Sequence, residues 1–295
     1  AVGSVGCGSS GGTAETDRAS PSGTAATAVA AAQPSGTSAG AGPCAKASAP
    51  PLARVPGAPL DTILRVPASA RGHRAPLVLA LHFASGTGAE MENAIRLTPE
   101  ARRSGFVVAY PSASANHFWA IDTDLPRLAR TLDAIERVAC IDPARIYVTG
   151  MSNGGFMSAV VACRMADRVA AAALFAPGIT AIGECAPARP ISILEIHGTA
   201  DPIVPYRSSA PERDVPAFIA GWARRDGCSA SSRPQRVSAT VTRFRWPGCR
   251  AGVRVEHLRL AGGRHVELFG ELRAAGADGA REAWRFLAST RLPAR

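Results

Sequence analysis

Continuous apolar runs alternate along most of the chain with stretches in which apolar residues return every third or fourth position. The runs 76–81, 106–110, 169–175 and 191–196 predict strands covered on both faces. The stretches 90–104, 124–138, 156–163, 215–225 and 277–289 predict helices. In 124–138, Leu125, Leu128, Leu132 and Ile135 share one face. Pro99 opens a second helix inside 90–104, and Gly105 stops it. The run 61–66 predicts an edge strand closed by Pro67, 253–260 alternates as a half-exposed strand, and 228–249 reads as loop. Strands alternating with helices, without internal repeats, predict an α/β fold: a mostly parallel central sheet with helices on both faces.

Residues 1–50 break this pattern. They are Ala, Gly, Ser, Thr and Pro with few large apolar side chains, a composition that cannot offset its ordering entropy by burial. A disordered tether is expected there, ahead of one folded domain over 51–295. No apolar run is long enough to cross a membrane. The net charge of +10 is carried by arginine, with Lys46 the only lysine. The arginines are scattered, which argues against a nucleic-acid partner.

Seven cysteines stand at 7, 44, 140, 163, 185, 228 and 249, without a C-x-x-C or a zinc-type Cys/His pairing. No metal site is expected. Six of them in three disulfides, with Cys7 left over, point to export into an oxidising compartment; the alternative is buried free thiols. Six cysteines allow 15 pairings. Cys228 with Cys249 flanks the loop-rich stretch, Cys140 and Cys163 fall at one edge of the sheet, and Cys44 is left for Cys185.

The chemistry centres on residues 146–163. The β-branched and aromatic run Ile146-Tyr147-Val148-Thr149 leads into Gly150-Met151-Ser152-Asn153-Gly154-Gly155 and then an apolar helical stretch. A G-x-S-x-G turn between strand and helix raises a serine hydroxyl above the sheet, and needs glycine where side chains would meet neighbouring chain. The Asn153 amide at the helix start is one candidate oxyanion donor, and an amide after Leu81, from Phe83 or Ala84, is the second.

A serine needs a base in hydrogen-bond reach, and the base needs an orienting acceptor. Asp201 follows the strand ending at Ile196, and His265 follows the one ending at Leu260. With Ser152 they give the order Ser, Asp, His expected of an α/β-hydrolase. His73 precedes a strand, His257 lies inside one, and His82 and His197 sit where hydrogen bonds shape loops. Asp214 and Asp226 are competing acids in the helical stretch after Asp201, and Asp142 before Pro143 reads as a turn residue.

Three separated segments carry a family resemblance: 141–155, His197-Gly198-Thr199-Ala200-Asp201-Pro202 with its continuation to Tyr206, and Gly262-Gly263-Arg264-His265. Over about residues 60 to 290 the chain resembles secreted esterases of the poly(3-hydroxybutyrate) depolymerase-like and feruloyl or acetylxylan esterase-like group. That resemblance implies an α/β-hydrolase without cofactor, with Ser152 as nucleophile, Asp201 as acid and His265 as base. The chain departs from the family where Phe83 replaces glycine, Ala120 replaces asparagine, and Val266-Glu267 follow the histidine. Separately, Ser4-Val5-Gly6-Cys7 resembles a bacterial lipobox, which implies acylation of Cys7 and an extracellular or surface-anchored protein.

With no binding domain after His265, the expected substrates are small esters, short hydroxyalkanoate oligomers, or feruloyl and acetyl groups on polysaccharide. Trp119, Phe118 and Tyr206, with His82, are the candidate acyl-cleft residues. An acyltransferase on the same scaffold, or a surface binding protein whose oxyanion hole is blocked by Phe83, are the alternative functions.

Overall fold

A computed structural model describes residues 54–114, 116–179 and 185–293. The proposed tether, Cys7 and Cys44 lie outside the described residues. One nine-stranded sheet organises the rest. In chain order come β1 (Thr62–Arg65), β2 (Ala75–Leu81), helices α1 (Gly88–Ile95) and α2 (Leu97–Ser104), β3 (Val107–Pro111), α3 (Ile121–Val138), β4 (Ile141–Met151) and α4 (Asn153–Arg164). There follow β5 (Ala171–Phe175), β6 (Ser192–Gly198), α5 (Val215–Arg225), β7 (Arg233–Arg236), β8 (Val241–Trp246), β9 (Val255–Leu260), α6 (Leu268–Ala274) and α7 (Gly279–Leu287).

The strands lie in the order β1-β3-β2-β4-β5-β6-β9-β8-β7. From β3 to β9 all pairs are parallel; β1 at one edge and the β7–β8 hairpin at the other are antiparallel. Alternation within the buried strands divides the core in two. Leu77, Leu79 and Leu81 of β2 join Leu128, Leu132, Met157, Ile219 and Trp222 of α3, α4 and α5. Val78 and Ala80 join Met91, Ile95, Leu97, Leu272 and Phe286 of α1, α2, α6 and α7. Strands with helices on both sides must be apolar throughout, and β2, β5 and β6 are buried along their whole length.

Two expectations need correction, and one helix was not foreseen. The stretch 228–249 contains β7 and β8, which extend the sheet beyond β9. That cover is why β9 is largely buried rather than half exposed. α6 begins three residues after His265, unanticipated because its seven residues, about two turns, carry little periodic signal.

Of the disulfides, Cys228–Cys249 forms as expected. Cys163 pairs with Cys185, Cα atoms 5.7 Å apart, which excludes both Cys140–Cys163 and Cys44–Cys185. Helix α4 returns its end to the lower edge of the sheet, where the segment entering β6 brings Cys185 alongside. Cys140 is disulfide-bonded as well.

Candidate active site

Ser152 sits between the end of β4 and the start of α4, half-buried, with φ 56° and ψ −119°. A non-glycine residue there costs of order 1–3 kcal/mol, and persists only where its surroundings fix it. Here the Ser152 amide donates to Phe175 O at 2.9 Å, while its carbonyl accepts from Phe156 at 2.8 Å and Gly178 at 2.9 Å. A Cβ on Gly154 would stand 2.3 Å from both Leu81 O and His82 O. The serine turn therefore packs directly on the end of β2, beside Phe83. The amides of Asn153 and Phe83, named from sequence as oxyanion donors, belong to these two abutting segments. Asn153 opens α4, where an N–H has no intrahelical acceptor.

The Asn153 side chain has a separate task that the sequence did not disclose. Its Oδ1 accepts from Trp119 N at 2.7 Å and its Nδ2 donates to Trp119 O at 3.3 Å. Trp119 Nε1 donates to His82 O at 2.8 Å. His82 Nε2 accepts from Ala113 N at 2.9 Å, so Nδ1 carries the proton and donates to Phe83 O at 2.7 Å. Burial lowers the His82 pKa, in keeping with that neutral tautomer. Trp119 is 1% exposed and His82 fully buried, which corrects the picture of both as open cleft residues. They brace the loops on either side of Ser152. Phe118 is exposed, and Tyr206 is half-buried with its hydroxyl turned inward to His257 Nε2 at 2.9 Å.

Asp201 and His265 meet. His265 Nδ1 lies 2.6 Å from Asp201 Oδ2, and both residues are buried. Asp201 Oδ1 accepts from the Ile203 and Val204 amides at 2.9 and 2.8 Å. Their loops are laced together: Thr199 N donates to Leu260 O, Ala200 N to Gly263 O, and Gly262 N to Thr199 Oγ1, at 2.9 to 3.0 Å. Gly198 permits this approach, since a Cβ there would stand 2.1 Å from Gly263 O. Burial pushes the Asp201 carboxyl upward, but hydrogen bonds from His197 and His265 and the two amides outweigh it and hold it well below the usual carboxylate range. Ser152 at the end of β4, Asp201 after β6 and His265 after β9 all stand at the carboxyl edge of the parallel strands, where such sheets bind ligands.

The competing acids lie elsewhere. Asp214 caps α5 by accepting from Ala217 N at 3.0 Å. Asp226 ends α5, fully buried, and accepts from Ile191 N at 3.2 Å at the lower edge of the sheet. Asp142 holds Ala144 N at 3.0 Å and Arg145 Nε at 2.6 Å, a turn role. Behind Asp201, Glu195 of β6 lies between His197 of the same strand and His257 of β9, its partner in register. The signal for this cluster was two charged or titratable residues spaced by two within an otherwise apolar strand. No group of three or more His, Cys, Asp or Glu suited to a metal occurs among the described residues.

Comparison with known proteins agrees with this architecture. A family model described as an alpha/beta hydrolase fold matches residues 83–219. Feruloyl esterase B of Piromyces equi is 30% identical over 233 residues, 71% of this chain and 43% of that protein. A bifunctional acetylxylan esterase/xylanase of Neocallimastix patriciarum is 28% identical over 64% of this chain and 28% of that protein. The chain thus spans less than half the length of these two relatives. Among solved structures, an acetyl xylan esterase from Aspergillus awamori superposes with a TM-score of 0.60 at 15% identity, covering 78% of this chain and 94% of that one. In sheet order, in the positive-φ serine turn and in these likenesses, the chain has the α/β-hydrolase fold.

Proposed function

We propose that this protein is a carboxylic ester hydrolase that works through Ser152, His265 and Asp201. The observation that carries the reading is the buried His265–Asp201 pair at 2.6 Å on the same sheet edge as a serine held at positive φ. Ser152 Oγ attacks the ester carbonyl while His265 Nε2 takes its proton, and Asp201 holds Nδ1–H and stabilises the imidazolium. The amides of Asn153 and Phe83 receive the oxyanion. His265 then protonates the departing alcohol, and water, activated by the same imidazole, releases the acid from the acyl-enzyme. None of these steps calls on a cofactor.

The relatives named above support feruloyl or acetyl esters of polysaccharide as substrates, with short hydroxyalkanoate esters as the other acyl class. Three of the most exposed large apolar side chains among the described residues, Phe118, Ile203 and Val266, stand on loops at this edge. They favour an apolar acyl group such as hydroxycinnamoyl over a bare acetyl. Disulfides support export, and no helix among the described residues is long and apolar enough to cross a membrane. Acylation of Cys7 would then hold the enzyme at the cell surface. Replacing Ser152 by alanine is expected to abolish hydrolysis of p-nitrophenyl acetate and methyl ferulate with an unchanged circular dichroism spectrum. Undiminished turnover would refute the assignment.

A further inference from the structure

The most unusual chemistry outside the three residues just named is a row of titratable groups buried directly behind them. His197 is fully buried on β6, and both its ring nitrogens face acceptors. Nδ1 lies 2.8 Å from Glu195 Oε1. Nε2 lies 2.9 Å from Val204 O and 3.3 Å from Asp201 Oδ2, the oxygen that also receives His265. A ring with an acceptor at each nitrogen is best satisfied as a donor at both. Glu195, with no solvent exposure, is flanked on its other side by His257, whose Nδ1 lies 2.5 Å from Oε2 in a contact not aligned as a hydrogen bond. The rings of Tyr206 and Phe244 stack against His257, each 5.7 Å away.

We propose that His197, anchored by Glu195, is a positioning residue for the proposed base: an imidazolium that clamps Asp201 and its loop, and partly neutralises the carboxylate that His265 sees. It rests on the assignment of His265 and Asp201 made above. The loop 201–206 is tied to this cluster at three points, Asp201 Oδ2, Val204 O and the Tyr206 hydroxyl. An unpaired carboxylate as deeply buried as Glu195 would take up a proton, so its ionised form requires the histidines. Burial works against the charge on His197, but the hydrogen bonds it donates to Asp201 and Glu195 prevail and raise its pKa to about 9. For Glu195 too, the neighbouring His257 and His197 overcome burial and lower the carboxyl pKa. The groups facing His197 are Glu195 on its own strand, Asp201 and Tyr206 on the loop, and Arg259, its register partner on β9; His257 faces Glu195 and Tyr206, and Arg207 and Asp214 act on Tyr206 from further out. Arg264 and Glu267 flank His265 in sequence.

The sign of the effect follows from charge. Removing the His197 cation leaves Asp201 uncompensated, which favours the protonated form of His265 and moves the acid limb of kcat/KM to higher pH. For charges about 6 Å apart at an effective dielectric of ~40, the displacement is about one pH unit. His197→Gln and Glu195→Gln should each move the limb upward with KM nearly unchanged, and the double variant should move it no further than His197→Gln alone. An acid limb that stays in place in a folded His197→Gln protein overturns the proposal. The second measurement needs no variant: nitrogen-resolved NMR of the histidine rings in the full chain at pH 7.5 should find both nitrogens of His197 protonated. A neutral imidazole there also overturns the proposal. Since the ring spectrum is independent of turnover, and loss of activity in Ser152→Ala is independent of His197, failure of this inference and failure of the serine mechanism are distinguishable.

Discussion

Backbone proximity at single residues sets the geometry that the proposed chemistry depends on. Gly198 is the clearest case, because the loops carrying Asp201 and His265 touch main chain to main chain there. Gly198→Ala must push them apart, and a displacement of about 1 Å at a reacting group costs on the order of 10²-fold in rate. We expect kcat/KM for p-nitrophenyl acetate to fall by that factor or more; a fall of less than threefold would show that the loops adjust freely. His197 provides a second residue-scale test, in stability. Its folded pKa of about 9 stands above the ordinary value near 6.5, so the stability it contributes is complete below pH 6.5 and is lost as pH rises to 9. Resistance of the parent protein to urea unfolding should weaken across that window, and His197→Gln should remove the slope.

Among the elements, the helical and the fully buried strand segments were legible because their periodicities are unambiguous: β2, β5, β6 and α5 lie within two residues of where the pattern puts them. The β7–β8 hairpin was not legible. Arg233-Pro234-Gln235-Arg236 is exposed throughout, with no buried face to alternate against, and its strand character comes from pairing with β8. The Cys163–Cys185 bridge was hidden for a related reason, since several cysteines converge on one sheet edge and spacing cannot rank them. The placement of Ser152, Asp201 and His265 at one edge of the sheet was readable from motif and strand-end position, whereas the burial of Trp119 and His82 depends on the Asn153 side chain, a tertiary contact with no local sign. Asp226, at the end of α5, carries a prediction of its own. Burial raises its carboxyl to about 6, and Oδ2 has no hydrogen-bond partner. A carboxyl raised above its unfolded value loses stability as pH climbs from about 4 to 6. Asp226→Asn should therefore melt higher than the parent at pH 8 and at the same temperature at pH 4.

On the scale of the whole molecule, a six-strand parallel core carries the site at one edge and fastens its opposite edge with cross-links. Cys163–Cys185 and Cys228–Cys249 close separations of 22 and 21 residues, for which chain entropy gives about 3 kcal/mol each. Differential scanning calorimetry with and without reductant should show a melting point lower by several degrees in the reduced protein, while hydrolysis at 25 °C persists, since neither bridge touches the serine turn. The central claim is that this sheet edge makes a nucleophile of one particular serine. Its most direct test is a fluorophosphonate probe followed by peptide mapping of the adduct. The account predicts a single modified residue, Ser152, and loss of labelling in His265→Ala; an adduct on another residue, or labelling undiminished without His265, would contradict it.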